Sequence, residues 1–158
     1  MRKLMLAAFA VLVCGSTVMA QNKVETKWHC PNSPDHNFDV GDVAGHSYAV
    51  IQGDCKATSS DKGFAEKTGA YTEFQERWKA SQANHGRFNV TLDNGDKVYY
   101  TYQGSAPMDT SKPAANTWKI VSGEGKHKGI KGSGGCKGTR NKDGSSDWAC
   151  TGTYSMGQ

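Results

Sequence analysis

Short runs in which apolar and polar residues alternate dominate the chain beyond residue 20. Phe88, Val90 and Leu92 alternate with Asn89 and Thr91, and Val98, Tyr100 and Tyr102 alternate with Lys97, Tyr99 and Thr101. A period of two is that of a strand with one face in a core and the other in water. Asn94-Gly95 lies between these two runs and predicts a hairpin. Val24 to Cys30 reads as an earlier strand, ended by Pro31, Asn32, Ser33 and Pro34, because proline cannot donate to a ladder. His46 to Lys56 is a second, with Tyr48, Val50 and Gln52 on one face and Ala49 and Ile51 on the other. Residues 58–63 and 104–115 read as loops, the latter holding Pro107 and Pro113. Strands over 117–121, 129–137 and 147–154 complete the set. One segment supports two readings. Tyr71, Phe74 and Trp78 at i, i+3 and i+7, with Glu73 and Arg77 an i,i+4 pair, suit a helix. The same residues alternate as a strand, with Thr72, Phe74, Glu76 and Trp78 on one face. Many short strands broken by turns predict an all-β barrel or sandwich, and a barrel leaves no exposed edge.

The alternation begins only after a segment of another kind. Arg2 and Lys3 precede an uncharged apolar run from Leu4 to Val13, and Val18-Met19-Ala20 offers a cut before Gln21. This order predicts a secretory signal over 1–20, with residues 21–158 as one exported domain, periplasmic or extracellular. Cys14 follows Val13 rather than the small residue a lipoprotein signal needs, so lipid anchoring is not expected. Cys30, Cys55, Cys136 and Cys150 remain, an even number that predicts two disulfides in an oxidising compartment. Three pairings exist, and Cys30–Cys55 with Cys136–Cys150 is favoured. Lys142-Asp143-Gly144 suits a three-residue hairpin loop with a left-handed Gly144, and counting outward from it sets Cys136 opposite Cys150.

Charge divides the domain. Removing Arg2 and Lys3 lowers the formal net charge from +4 to +2. Residues 21–111 carry nine basic and twelve acidic groups, whereas Lys112 to Lys142 holds eight basic groups against Glu124 alone. Such a face could meet an anionic envelope polymer or lipid through Lys126, Lys128 and Lys131. Trp118 is the one aromatic residue in that stretch, so stacking rings are not interleaved with the lysines and nucleic acid is not expected. Seven glycines between Gly123 and Gly138 fit neither phosphate-binding fingerprint and read as sites of bulging and close strand approach. His29, His36 and His46 lack metal-ligand spacing, and no cofactor motif is present.

From Gly86 onward the chain resembles bacterial exported proteins with an allene oxide cyclase-like barrel, related in shape to dirigent proteins and calycins. The residues that carry this are Asn94-Gly95-Asp96-Lys97-Val98-Tyr99, Tyr102-Gln103-Gly104, Trp118 through Gly123, Gly125 through Gly134, and Trp148 through Tyr154. The resemblance implies an eight-stranded antiparallel barrel with an internal cavity, and it favours a strand over 71–78. It implies little about activity, because fold does not fix function.

On that frame Tyr48, Phe74, Trp78, Phe88, Tyr100, Tyr102 and Trp118 are the expected inward aromatics, and Glu76 is the expected inward carboxylate among them. A carboxylate desolvated by rings can anchor a ligand or move a proton. No Gly-x-Ser-x-Gly or other nucleophile motif identifies a reaction. The sequence therefore favours a non-enzymatic barrel for an apolar or amphipathic small molecule, with a barrel-type isomerase or cyclase and a lysine-faced surface protein as the alternatives.

Overall fold

Burial alternates along the first strand, β1 (Asn22–Cys30), where Val24, Thr26, Trp28 and Cys30 are buried between exposed or half-buried neighbours. The computed structural model describes residues 21–157, so the signal segment over 1–20 and the position of Cys14 lie outside the described residues. Eight strands follow: β2 (Asp35–Asp39), β3 (Ser47–Ser60), β4 (Glu66–Arg77), β5 (Ser81–Leu92), β6 (Lys97–Pro107), β7 (Ala114–Gly123), β8 (Lys131–Arg140) and β9 (Ser146–Ser155). A single 3-10 turn, Gly125–His127, interrupts them between β7 and β8. Each pairs antiparallel with its neighbour, in the order β1-β9-β8-β7-β6-β5-β4-β3-β2, and β1 also pairs with β3. That last pairing closes an eight-stranded antiparallel barrel. β2 stays outside the closure and extends the seam along the first half of β3.

The segment over 71–78 is strand to Arg77, and the helical reading of its spacing is not realised. β3 and β6 run further than expected, to Ser60 and Pro107. β5 begins at Ser81 rather than Phe88, because its polar first half, with Gln82 and Asn84, faces inward. The hairpin at Asn141 forms as its turn chemistry requires. Gly144 has φ +85°, the amide of Asn141 donates to Ser145 O, and Cys136 sits opposite Cys150. Both disulfides, Cys30–Cys55 and Cys136–Cys150, are formed.

The ladders fix the stagger of the wall. From Thr26 the inward-facing partners run through Cys150, Cys136, Asn116, Gly104, Asn84 and Gln75 to Ala49. Thr26 itself pairs with Ser60, eleven residues further along the same strand. One of the eleven is taken up by the bulge between Lys27 and Trp28, leaving a stagger of ten. For eight strands this means a tilt near 40° and roughly 16 Å between opposite backbones.

One end of the barrel is filled. Phe64, in the β3–β4 connection, is 1% exposed and stacks on Tyr154 at 4.7 Å. Val90, Val98, Leu92 and Ile130 pack in the same core. Glycines on the inner face leave room for rings above that floor. A Cβ at Gly138 would lie 2.6 Å from the Trp148 ring, and one at Gly69 would overlap Phe88. The glycine-rich run thus supplies close approach inside a small barrel.

Candidate functional site

The other end is open, and an internal cavity of about 390 Å³ leads down from it. Its lower wall is aromatic. Trp28 meets Phe88 edge-on at 4.9 Å, Tyr100 meets Trp118 edge-on at 5.5 Å, and Tyr71, Tyr102 and Trp148 complete the belt. Near the floor lies Glu66, a carboxyl 8% exposed. The Thr26 hydroxyl donates to Glu66 Oε2 at 2.5 Å and the Tyr100 hydroxyl to Oε1 at 2.7 Å. Burial pushes the Glu66 carboxyl above its usual range, and these two hydrogen bonds only partly offset that. Burial and the neighbouring Glu66 push the Tyr100 phenol well upward in turn.

Above the aromatic belt the wall turns polar. Glu73 accepts from Gln75 Nε2 at 2.5 Å and from Asn84 Nδ2 at 2.8 Å. Burial first, then the nearby Glu73 charge, raise the Tyr102 phenol far above its ordinary value. At the rim Arg77 donates to Asp35 at 2.5 Å and to Gln75 Oε1 at 2.7 Å. Arg140 also lines the opening, and no carboxylate among the described residues lies within ion-pair reach of it. Three buried polar atoms have no protein partner: Asn84 Oδ1, Asn116 Oδ1 and Trp118 Nε1. All three belong to residues lining this cavity. These atoms are covered by neighbouring protein, so the polar surface offered to an occupant is that of Glu73, Gln75, Asn84, Arg77 and Arg140 along the upper wall.

Of the residues expected inside, Phe88, Tyr100, Tyr102 and Trp118 line the cavity. Tyr48, Phe74 and Trp78 do not: they are 49%, 48% and 39% exposed on the outer face. Glu76 shares that face, with its side chain 36% exposed. The phase of the alternation is opposite to the one expected. Tyr71, Glu73, Gln75 and Arg77 face inward, in step with the buried Gly69 and Gln75. On β3, likewise, Ala49 is 1% exposed while Tyr48 points out. Outside, Glu76 accepts from the Tyr48 hydroxyl at 3.0 Å and meets His46 Nε2 at 3.2 Å. The His46 ring stacks on Trp78 at 3.8 Å and reaches Asp42 through Nδ1 at 2.7 Å. Burial draws the His46 pKa down, and its two carboxylate partners overcome this to raise it.

The sequence reading missed Glu66, Glu73, Gln75, Asn84, Asn116, Arg77 and Arg140. The usable signal was small residues in step with polar ones, as in Gly69, Tyr71, Glu73 and Gln75, where glycine marks the face that rings must cross. Lys126, Lys128 and Lys131 are exposed at the filled end, in the turn after β7 and at the start of β8. They therefore belong to a connection rather than to one strand face. Among the described residues no group of three or more His, Cys, Asp or Glu side chains is placed to hold a metal ion.

No family model matches the chain. No curated protein matches it either. Two solved structures share its architecture. One is a pterocarpan synthase dirigent protein, with TM-score 0.55 and 10% identity over 96% of this chain and 98% of that one. The other is a protein of unknown function from the DUF3224 family of Shewanella oneidensis, with TM-score 0.54 and 14% identity over 88% of this chain and 99% of that one. Neither likeness is to an allene oxide cyclase, and at these identities both bear on the fold alone. The two disulfides fit an oxidising, exported environment. Among the described residues no helix is long and apolar enough to cross a membrane.

Proposed function

We propose that this protein is an exported, non-enzymatic barrel that holds a small amphipathic molecule with its ring or apolar part in the aromatic belt. The observation that carries this reading is the open cavity whose wall combines Trp28, Phe88, Tyr102 and Trp118 with Glu73, Asn84 and Arg140 above them. A filled barrel would need no such opening. Aromatic surface supplies affinity, and a few fixed polar groups orient the occupant. Titration of the oxidised protein with indole and with dodecanoate, followed by tryptophan emission, tests the reading. Saturable quenching or a blue shift with at least one of them is expected. Ala114→Trp, which adds bulk at a lining position, should abolish that response without lowering the melting temperature by more than a few degrees. A flat emission spectrum with both ligands overturns the assignment.

One observation favours a second reading, a barrel-type isomerase or cyclase. Glu66 is a buried carboxyl with a raised pKa that borders the cavity, and such groups can exchange protons with a bound molecule. Glu76, on the outer face, cannot take that role. The isomerase reading requires a reactive ligand to reach Glu66. It falls if the ligand that binds best is recovered chemically unchanged after prolonged incubation.

A further inference from the structure

Two charges of opposite sign face the upper cavity without pairing to each other. Glu73 is held by two neutral donors, Gln75 and Asn84, and among the described residues by no cation. Arg140 lines the same cavity and forms no ion pair among the described residues. The ladder partner of Glu73 on β8, reached through Gly86, Tyr102 and Trp118, is Gly134. The stagger of ten means that a walk half-way round the wall also changes height by about five residues. The height of Glu73 is therefore met on β8 not at Gly134 but close to Arg140. The two side chains stand at about the same level on opposite walls. With roughly 16 Å between those walls, an extended arginine and a glutamate leave a gap of roughly 5 Å. That gap is too wide for a direct pair and suits a small group carrying both charges.

Donation of Asn84 Nδ2 to Glu73 fixes the orientation of that carboxylate on the wall. The Arg77 guanidinium, nearby at the rim, is already matched by Asp35, so it does not compete for an anion as Arg140 does. Below these groups lies the aromatic belt.

We infer that the cavity takes a zwitterionic aromatic amino acid or a close relative of one. Its ammonium is held by Glu73, its carboxylate by Arg140, and its ring lies between Trp28, Phe88, Tyr102 and Trp118. This deepens the binding reading above and rests on it. A guanidinium recognises a carboxylate through its fork of donors, and the rings below accept an aromatic side chain edge-on or offset.

The test compares four ligands that share one skeleton: phenylalanine, phenethylamine, 3-phenylpropionate and propylbenzene. Binding to the oxidised protein is measured by calorimetry and by tryptophan emission at pH 7. Phenylalanine should bind at least tenfold more tightly than each of the other three. Arg140→Gln should bring phenylalanine down to the level of phenethylamine, and Glu73→Gln should bring it down to that of 3-phenylpropionate. Melting curves of both variants guard against a folding defect, and the fourfold ligand comparison on the unmodified protein needs no variant. If propylbenzene or either singly charged ligand binds as tightly as phenylalanine, the zwitterion assignment is overturned while the cavity remains a binding site. If none of the four binds while indole or dodecanoate does, the assignment is overturned with the binding reading intact. If no ligand of either set binds, both fall together.

Discussion

Glu66 holds a position where charge and burial are in conflict. Its carboxyl lies near the floor of the barrel, accepts two hydroxyl hydrogen bonds, and has its pKa raised chiefly by desolvation. In the unfolded chain the same group titrates near 4.5. The folded state thus holds the proton more tightly than the unfolded state. Its contribution to stability is greatest below the unfolded value and is lost as pH climbs through the folded one. Glu66→Gln keeps an oxygen for Thr26 and removes the titration. The melting temperature of Glu66→Gln minus that of the unmodified protein should therefore rise between pH 4 and pH 8, by roughly 3 °C or more. Scanning calorimetry at several pH values measures this, and a difference that is flat or shrinks with pH would dismiss the buried-acid account. Nothing local in the sequence marks Glu66. It follows a loop, and the bulge between Glu66 and Thr68 turns it inward when simple alternation from Gly69 would put it outside. Glu76 shows the same problem in reverse. Its neighbours Phe74 and Trp78 made the outer face of β4 look like the inner one, because aromatic content alone does not tell a core face from an exposed one.

At the level of the strand, the inner face is set by glycine and ring together. β4 places Gly69 opposite Val90 and beneath Phe88, and β8 places Gly138 beneath Trp148. Each large ring lies across a neighbouring strand at a point where no side chain exists. Gly69→Ala puts a methyl group into the Phe88 ring, and overpacking of this kind costs about 1–3 kcal/mol. Phe88→Leu removes the ring and should cost a comparable amount alone. In the double variant the added methyl meets no ring, so the two penalties should fall short of additive by about 1 kcal/mol. Chemical denaturation of the four proteins in the cycle measures this coupling, and strict additivity would show that the glycine serves some other purpose. Much of the strand pattern was legible: the paired runs at Phe88 and Val98, the Gly144 turn, and from it the register that pairs Cys136 with Cys150. The polar start of β5 and the whole of β2 were not. Their alternation carries no hydrophobic contrast, because the inner side of β5 there holds Gln82 and Asn84, and all five residues of β2 are exposed.

For the whole molecule, the question is what keeps the barrel shut. β4 and β5 are joined by a ladder from Glu66 to Arg77, and β8 and β9 by one from Lys131 to Arg140. The seam between β1 and β3 is much shorter, covering Thr26 to His29 against Ser60 to Lys56 and broken by a bulge. Beyond it Pro31 to Pro34 leave the sheet, and β2 resumes the pairing further up β3. Cys30–Cys55 lies where that ladder ends, one step past the pair His29–Lys56. Cys136–Cys150, by contrast, sits within an unbroken ladder. The chain-entropy model gives the two bridges similar worth, about 3 to 3.5 kcal/mol for loops of these lengths. Entropy alone therefore predicts similar losses of stability when either is removed. The topology predicts a difference in where the molecule opens. In Cys30→Ala/Cys55→Ala the seam has only its short ladder, so local opening should raise amide exchange at Thr26 to His29 and Lys56 to Ser60 well before global unfolding. In Cys136→Ala/Cys150→Ala those amides should keep the protection of the unmodified protein, apart from the general loss of stability. Hydrogen exchange under native conditions distinguishes the two, with equal seam exchange in both variants counting against the account. The seam also borders the cavity, since Trp28, Cys30 and Cys55 all line it. The first variant should therefore lose ligand affinity by more than its drop in stability explains, and the second should not.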